Sequence, residues 1–199
     1  MMYKTIAKTI ESHTMGEPTR VIYEGIPEIP GETIRDKREY FRTHFDEYRK
    51  LLMLEPRGHR DMFGAVLTEP CNRDADMGVI FIENDGYLDM CGHGSMGVAV
   101  SLYEKLGFKK DVIKLDTPSG LVEIRLCVKD DEIRKVSLKN VDSCMIKDDQ
   151  EITLSSGECV KYSISYGGNL FALVNAESIS TAIEVPNLNR LTKIGRAHV

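Results

Sequence analysis

The segment MCGHGSMG, residues 90 to 97, combines a cysteine, a histidine and three closely spaced glycines directly after an apolar run. The run reads as a strand, and the segment itself reads as the start of a helix. A helix N-terminus offers backbone N–H groups and the positive end of the peptide dipoles, which would lower the pKa of Cys91 from about 8.5 toward 7 or below. The same groups hold carboxylates, and glycine lets a small ligand approach closely. Residues 91 to 94 therefore predict an anion site beside a nucleophile or base.

The same residues allow a dinucleotide interpretation. The glycines of residues 92 to 97 match G-x-G-x-x-G between a strand and a helix, and Asp111 or Asp116 lies at about the distance of a ribose-binding acid. Against this, the chain continues as hairpin-like strands instead of a second parallel βαβ unit. A dinucleotide fingerprint also has no need of Cys91 and usually opens its domain.

Two further interpretations concern the cysteine alone. Cys91 would serve equally as a buried structural cysteine at a tight turn. A zinc site would combine Cys91 and His93 with the upstream Cys71 and His59. These spacings fit no structural zinc pattern, and Cys-x-His supplies two ligands at most, so no metal is expected.

The elements around this segment predict a mixed architecture. Strand-like runs at 3–10 and 20–24 flank the polar turn ESHTMGEPTR, and a helix capped by Thr33 and Asp36 ends before Pro56. The helix after Cys91 ends at Gly107 and is apolar around most of its circumference, which is typical of a helix enclosed by other elements. Other strand-like runs are residues 63–69 and 77–83 and the segments VIKLDT, LVEIRLCV, IRKVSLKNV, EITLS, VKYSIS and NLFALV. Hairpins around one buried helix favour an α+β fold over a doubly wound sheet.

Composition excludes several classes of function. The 199 residues are 42% hydrophobic and 29% charged with a net charge of −5, which gives no electrostatic footprint for nucleic acid. No stretch has signal-peptide or membrane-spanning character, because the longest run without Asp, Glu, Lys or Arg covers only residues 90 to 103. Five cysteines without a C-x-x-C pair indicate reduced thiols and a cytoplasmic protein without membrane partners.

Several motifs in order resemble the proline racemase family, which also contains hydroxyproline epimerases and trans-3-hydroxyproline dehydratases. The resemblance covers essentially the whole chain up to residue 193. The segments that carry it are MCGHGSMG, SHTMGEPTRVI, LEPRGHRDMFGAVLTEP, DADMGVIFIENDGYLD, LDTPSGLV and SYGGNLFALV.

The resemblance implies a fold and a mechanism. The fold is that of diaminopimelate epimerase, in which two similar domains each wrap a curved, mostly antiparallel sheet around a central helix. The family uses no pyridoxal phosphate, metal or other cofactor. Two cysteines face opposite sides of the substrate Cα, and one removes the proton as thiolate while the other donates one as thiol. By this resemblance Cys91 is one catalytic acid/base, Gly92 and His93 bind substrate, and Phe63 matches an aromatic residue that packs on an unsubstituted proline ring.

The resemblance also has a gap, because the second cysteine box of the family is missing. No other cysteine of the chain is followed by Gly-x-Gly. Residues 1–193 are therefore expected to be the N-terminal domain of a two-domain enzyme, a fragment that is inactive alone and lacks the C-terminal domain. Residues 194–199, IGRAHV, match a translation of ATC GGA AGA GCA CAC GTC, the start of a common sequencing adapter. We therefore expect this tail to be adapter-derived, and His198 carries no functional argument.

The expected function is L- and D-proline interconversion, with a homodimer as the full-length form. Within the family the rivals are 4-hydroxyproline 2-epimerase and trans-3-hydroxy-L-proline dehydratase. The residue at the second cysteine position distinguishes them, because threonine there implies the dehydratase. From a different class, the chain would be a short protein that binds small carboxylates without turnover.

Overall fold

The structure is a computed structural model that describes residues 7–154 and 156–196, divided into two compact units, Met1–Val141 and Asp142–Val199. The first unit contains three helices, α1 (Ile34–His44), α2 (Asp46–Met53) and α3 (Gly92–Lys105). Its strands are β1 (Lys8–Thr14), β2 (Glu17–Glu24), β3 (Phe63–Thr68), β4 (Met77–Glu83), β5 (Tyr87–Leu88), β6 (Val112–Thr117), β7 (Gly120–Lys129) and β8 (Glu132–Lys139).

These strands form one mixed sheet in the order β1-β2-β3-β4-β6-β7-β8, and β5 pairs with β4 beside this path. The β2–β3 and β4–β6 pairs are parallel, and the other pairs are antiparallel. Helix α3 contacts β1 at one edge of the sheet and β8 at the other. The sheet therefore curls around α3 as a half-barrel, which confirms the predicted fold class, a curved α+β sheet around a central helix.

Apolar residues of the central strands lie on both faces of the sheet, because successive side chains of a strand point to opposite faces. On β4, Val79 and Phe81 join the cluster around α3, while Ile80 and Ile82 join a second cluster beneath α1 and α2. All four are fully buried. Both faces of β4 are thus covered, and the strand that leads toward the cysteine lies in the core.

The predicted helix boundaries around the glycine-rich segment are confirmed. Helix α3 has Cys91 as its N-cap and Leu106 as its C-cap, and Gly107 follows with a φ of 80°. Thr33 and Asp36 form the predicted capping box of α1. These boundaries follow from local chemistry: side chains that satisfy end groups and a glycine that accepts a left-handed conformation.

Two predicted features were wrong. The polar stretch 11–20 is mostly strand, because β1 and β2 meet at a two-residue turn, Met15 and Gly16. Some of its polar side chains, such as Ser12 and Thr14, face α3, so polarity concealed the strand. Residues 3–6 of the predicted first strand lie outside the described residues. The helix predicted from Thr33 to Pro56 is broken at Phe45, whose φ of −132° ends α1 before α2 begins.

The second unit is a small three-stranded antiparallel sheet in the order β11-β10-β9, with β9 (Cys144–Thr153), β10 (Cys159–Tyr166), β11 (Leu170–Leu173) and a terminal helix α4 (Leu188–Arg196). Its buried cluster consists of Leu154, Val160 and Ile179, against which Ile194 packs partly. Residues 197–199 of the expected adapter-derived tail, including His198, lie outside the described residues, and the origin of that tail stays a prediction.

Candidate active site

Cys91 occupies the N-cap of α3 and is 8% exposed. Its backbone is extended, with φ −143° and ψ 121°, so Cys91 continues the segment that follows β5 and leads into the helix. The Gly94 N–H donates a hydrogen bond to Sγ of Cys91 over 3.4 Å. Sulfur thus takes the position of the side-chain oxygen in an ordinary N-cap, and the thiol is fixed against the first turn of the helix.

The structure brings together all four residues that the sequence predicts for the site: Cys91, Gly92, His93 and Phe63. Nδ1 of His93 lies 3.3 Å from Sγ of Cys91. The His93 ring packs edge-on against the Phe63 ring, with 4.7 Å between centroids. Phe63 is 5% exposed and begins β3, so an aromatic wall stands beside the imidazole and thiol.

The glycines of α3 allow this close packing. A Cβ on Gly94 would lie 2.5 Å from Cε1 of Phe63, and a Cβ on Gly97 would lie 3.0 Å from Oγ of Ser12. A separation of 2.5 Å is closer than real Cβ atoms come to other heavy atoms, and one of 3.0 Å is tighter than nine in ten such contacts. The glycine spacing therefore has a packing reason, because it lets the helix lie directly on β1, β2 and β3.

Burial determines the charge state of the thiol. Desolvation raises the pKa of Cys91 to about 11, and the carboxylates of Glu83 and Glu17 add to this rise. The backbone N–H groups of Gly94 and His93 act in the opposite direction and are outweighed. The lowered pKa expected from the helix terminus was therefore wrong in direction, and Cys91 is a protonated thiol near neutral pH.

Two hydroxyl groups that sequence reasoning missed form hydrogen bonds with the backbone of the site. Ser95 is fully buried, and its Oγ donates to the Cys91 carbonyl over 2.7 Å. Thr14, at the end of β1, donates from Oγ1 to the His93 carbonyl over 3.3 Å. The sequence does indicate the contact of Ser95, because a hydroxyl four residues after Cys91 in a helix can donate to the Cys91 carbonyl. The contact of Thr14 joins residues 79 apart, and no local pattern indicates it.

The alternative interpretations receive little support from these positions. Cys71 lies beyond β3, where its backbone N–H donates to the Asp116 carboxylate, and it does not join Cys91. Within residues 7–154 and 156–196, no three His, Cys, Asp or Glu side chains are grouped to hold a metal ion. The β4–α3–β6 crossover is parallel, which the predicted hairpins did not include, but antiparallel strands follow it. No helix of the described chain is long and apolar enough to cross a membrane.

A mixed sheet curled around a helix that begins at Cys91 is an α+β half-barrel, and solved structures share this fold. A hydroxyproline epimerase from Agrobacterium vitis, solved with bound trans-4-hydroxy-L-proline, superposes with a TM-score of 0.88 at 28% identity, over 98% of this chain and 58% of that one. The family model described as Proline racemase matches residues 9–198. The chain belongs to the proline racemase family.

Curated relatives in this family carry different activities in their names. A proline racemase from Acetoanaerobium sticklandii is 40% identical over 94% of this chain and 57% of its own length. A trans-3-hydroxy-L-proline dehydratase from Bacillus cereus is 36% identical over 98% of this chain and 59% of its own length. The chain thus spans somewhat more than half the length of these relatives.

Proposed function

We propose that this chain carries the first half-site of a cofactor-independent amino-acid racemase that interconverts L- and D-proline. The observation that carries the proposal is the thiol of Cys91, fixed at the N-cap of an enclosed helix and 3.3 Å from Nδ1 of His93. A substrate carboxylate would bind the first-turn N–H groups of α3 at Gly92 and His93. This anchors Cα next to the sulfur.

The proposed reaction moves two protons and leaves the enzyme's total proton count unchanged. A thiolate on one face of the substrate removes the Cα proton and becomes a thiol, while a second thiol on the opposite face donates its proton to Cα. The transient negative charge lies on Cα and the carboxylate, where helix N–H groups stabilise it. Because burial keeps Cys91 protonated, we assign it the donating role in the resting chain.

Phe63 supports proline as the substrate. The ring is buried beside His93 and offers an apolar surface to the substrate ring, with no hydroxyl or amide of its own to bind a 4-hydroxyl group. An unsubstituted pyrrolidine suits such a surface, whereas an unpartnered hydroxyl against it would be costly. The alternatives are 4-hydroxyproline 2-epimerase and trans-3-hydroxy-L-proline dehydratase, whose names occur among the similar proteins.

We further propose that residues 1–193 are the N-terminal part of a two-domain protein whose second cysteine follows later. The exposed apolar residues of the second unit support this. Nine of the twelve large exposed hydrophobic side chains of the described chain lie there: Met145, Ile146, Leu170, Phe171, Leu173, Val174, Ile183, Val185 and Leu188. Such a concentration of large exposed apolar side chains in one unit is typical of protein surface that further protein covers. The homodimer and the cytoplasmic location stay predictions.

The test is Cα–H exchange in D2O with L-proline, trans-4-hydroxy-L-proline and trans-3-hydroxy-L-proline. The 199-residue chain is expected to give no exchange. The product of the source gene, read beyond codon 193, is expected to exchange and racemise proline fastest. In that product Cys91→Ala should lower the rate at least about 100-fold, the usual contribution of a general acid or base.

Turnover by the 199-residue chain itself would overturn the half-site proposal. A longer product that exchanges none of the three substrates would overturn the activity. If it dehydrates trans-3-hydroxy-L-proline and carries threonine in place of the second cysteine, the dehydratase is correct. Binding of pyrrole-2-carboxylate to the 199-residue chain as tightly as to the longer product would favour a carboxylate-binding protein without turnover.

A further inference from the structure

One peptide group connects the first hairpin of the sheet to the sulfur of Cys91. The carbonyl of His93 and the N–H of Gly94 belong to the same planar peptide unit. The carbonyl accepts from Oγ1 of Thr14 over 3.3 Å, and the N–H donates to Sγ of Cys91 over 3.4 Å. A continuous chain of hydrogen bonds therefore runs from the Thr14 hydroxyl through the 93–94 peptide to the sulfur.

This arrangement has a physical consequence for the thiol. A donor at a peptide carbonyl polarises the peptide and makes its N–H a better donor, since hydrogen bonds in series strengthen one another by some 10–30% each. The bond also fixes the orientation of the peptide plane, and the N–H direction with it. A stronger, well-directed N–H favours the charged form of an acceptor, here the thiolate.

The hairpin itself is built to hold Thr14 at this position. Thr14 pairs with Glu17 across a two-residue turn in which Met15 and Gly16 have φ values of 53° and 100°. Positive φ at both central residues is the geometry of a type I′ turn, which matches the twist of paired strands. Close packing of Ser12 near Gly97 fixes β1 against α3 one turn further along the helix.

We propose that Thr14 is a positioning residue for Cys91, which acts through the 93–94 peptide to stabilise the thiolate that proton transfer at Cα requires. This inference rests on the proposed function, in which Cys91 is an acid/base. The charged and titratable groups around the sulfur are Glu17 from β2, Glu83 from β4 and His93 from α3. The two carboxylates disfavour the thiolate. The chain of hydrogen bonds from Thr14 favours it and so offsets part of their effect.

The test is the pH profile of Cys91 alkylation by iodoacetamide in the 199-residue chain, followed by peptide mapping. Thr14→Val keeps the shape of the side chain and removes its hydroxyl. We expect its profile to move to higher pH and its rate below the midpoint to fall by about 1.5- to fourfold, because the hydroxyl strengthens the Gly94 hydrogen bond by some 10–30% and does not itself reach the sulfur. Thr14→Ala removes the hydroxyl without adding a methyl group and should agree, whereas Thr14→Ser should restore the wild-type profile.

Thr9→Val is the matched control, because Thr9 lies on the same strand and its hydroxyl donates to Glu11 instead of to α3. It should leave the profile unchanged. An unchanged profile in Thr14→Val, or an equal shift in Thr9→Val, overturns the role of Thr14. Neither result affects the half-site proposal, which fails separately if Cys91→Ala in the longer product retains full Cα–H exchange.

Discussion

At the scale of single residues, Cys91 is subject to two opposing influences. Its position at the N-cap of α3 brings the N–H of Gly94 to the sulfur, which favours a thiolate. Its burial favours the neutral thiol, and burial dominates because a charge loses far more hydration energy than one weak hydrogen bond to sulfur returns. The resting group is therefore a thiol, and in the proposed reaction it becomes a thiolate as it gives its proton to the substrate Cα.

The raised pKa of Cys91 predicts a pH dependence of stability. Folding raises this pKa from its ordinary value of 9.0 to about 11, so the folded chain holds the proton more tightly than the unfolded chain. The stabilisation is complete below pH 9 and is lost as the pH rises toward 11. Urea unfolding from pH 7 to pH 11 should show a steeper fall in wild type than in Cys91→Ala, by up to about 2 kcal/mol.

The comparison with Cys91→Ala isolates this one group, because every other titratable side chain is the same in both proteins. Parallel curves for the two proteins would contradict the raised pKa. Local sequence cannot supply this value. The N-cap position of Cys91 is visible in the order cysteine, glycine, histidine, whereas its burial depends on the sheet that curls around α3.

At the scale of elements, α3 is the part of the fold that the sequence predicts best. Its apolar circumference predicted enclosure, and the sheet indeed contacts it at both edges. The break between α1 and α2 at Phe45 was not predictable, because the apolar periodicity continues across it into Tyr48 and Leu52. The turn between β1 and β2 was predicted too long for a related reason: polar side chains such as Thr14 face the helix, and only the tertiary fold shows their partners.

Two glycines of α3 predict opposite effects of the same substitution. A Cβ on Gly94 would meet Cε1 of Phe63 at 2.5 Å, so Gly94→Ala must displace the aromatic wall or the helix. We expect a loss of about 1–3 kcal/mol in the free energy of unfolding, as for other overpacked sites. A Cβ on Gly92 would meet only Cδ2 of Leu138 at 3.4 Å, so Gly92→Ala should be neutral or gain up to about 1 kcal/mol from helix propensity.

Urea denaturation of the two variants, read by far-UV circular dichroism, measures this difference directly. Gly92→Ala serves as the internal control, since it makes the same substitution in the same helical turn. Equal stability of the two variants would show that α3 moves freely relative to Phe63. In that case the close contact between the helix and the aromatic wall would not position Cys91.

At the scale of the whole molecule, the two units differ in how well each encloses a core. Among the described residues, the first unit buries two clusters of fifteen and ten apolar residues, while the second unit buries three. Large apolar side chains such as Leu170, Phe171 and Val185 are 68%, 47% and 85% exposed. A sheet that covers so little of its apolar surface gains little of the hydrophobic free energy that must offset chain entropy.

This contrast predicts unequal protection from hydrogen exchange in the 199-residue chain. Amides of β9 to β11 should exchange at least about tenfold faster than those of β4 and β7, because opening the second unit exposes little additional apolar surface. In the longer product of the gene, β9 to β11 should gain protection while β4 and β7 stay unchanged. The measurement is exchange detected by mass spectrometry on both proteins, with β4 as the internal reference.

In the shorter chain, protection of β9 to β11 equal to that of β4 would mean that the second unit is already a complete domain. The exposed apolar residues of that unit would then no longer support the proposal of a half-enzyme.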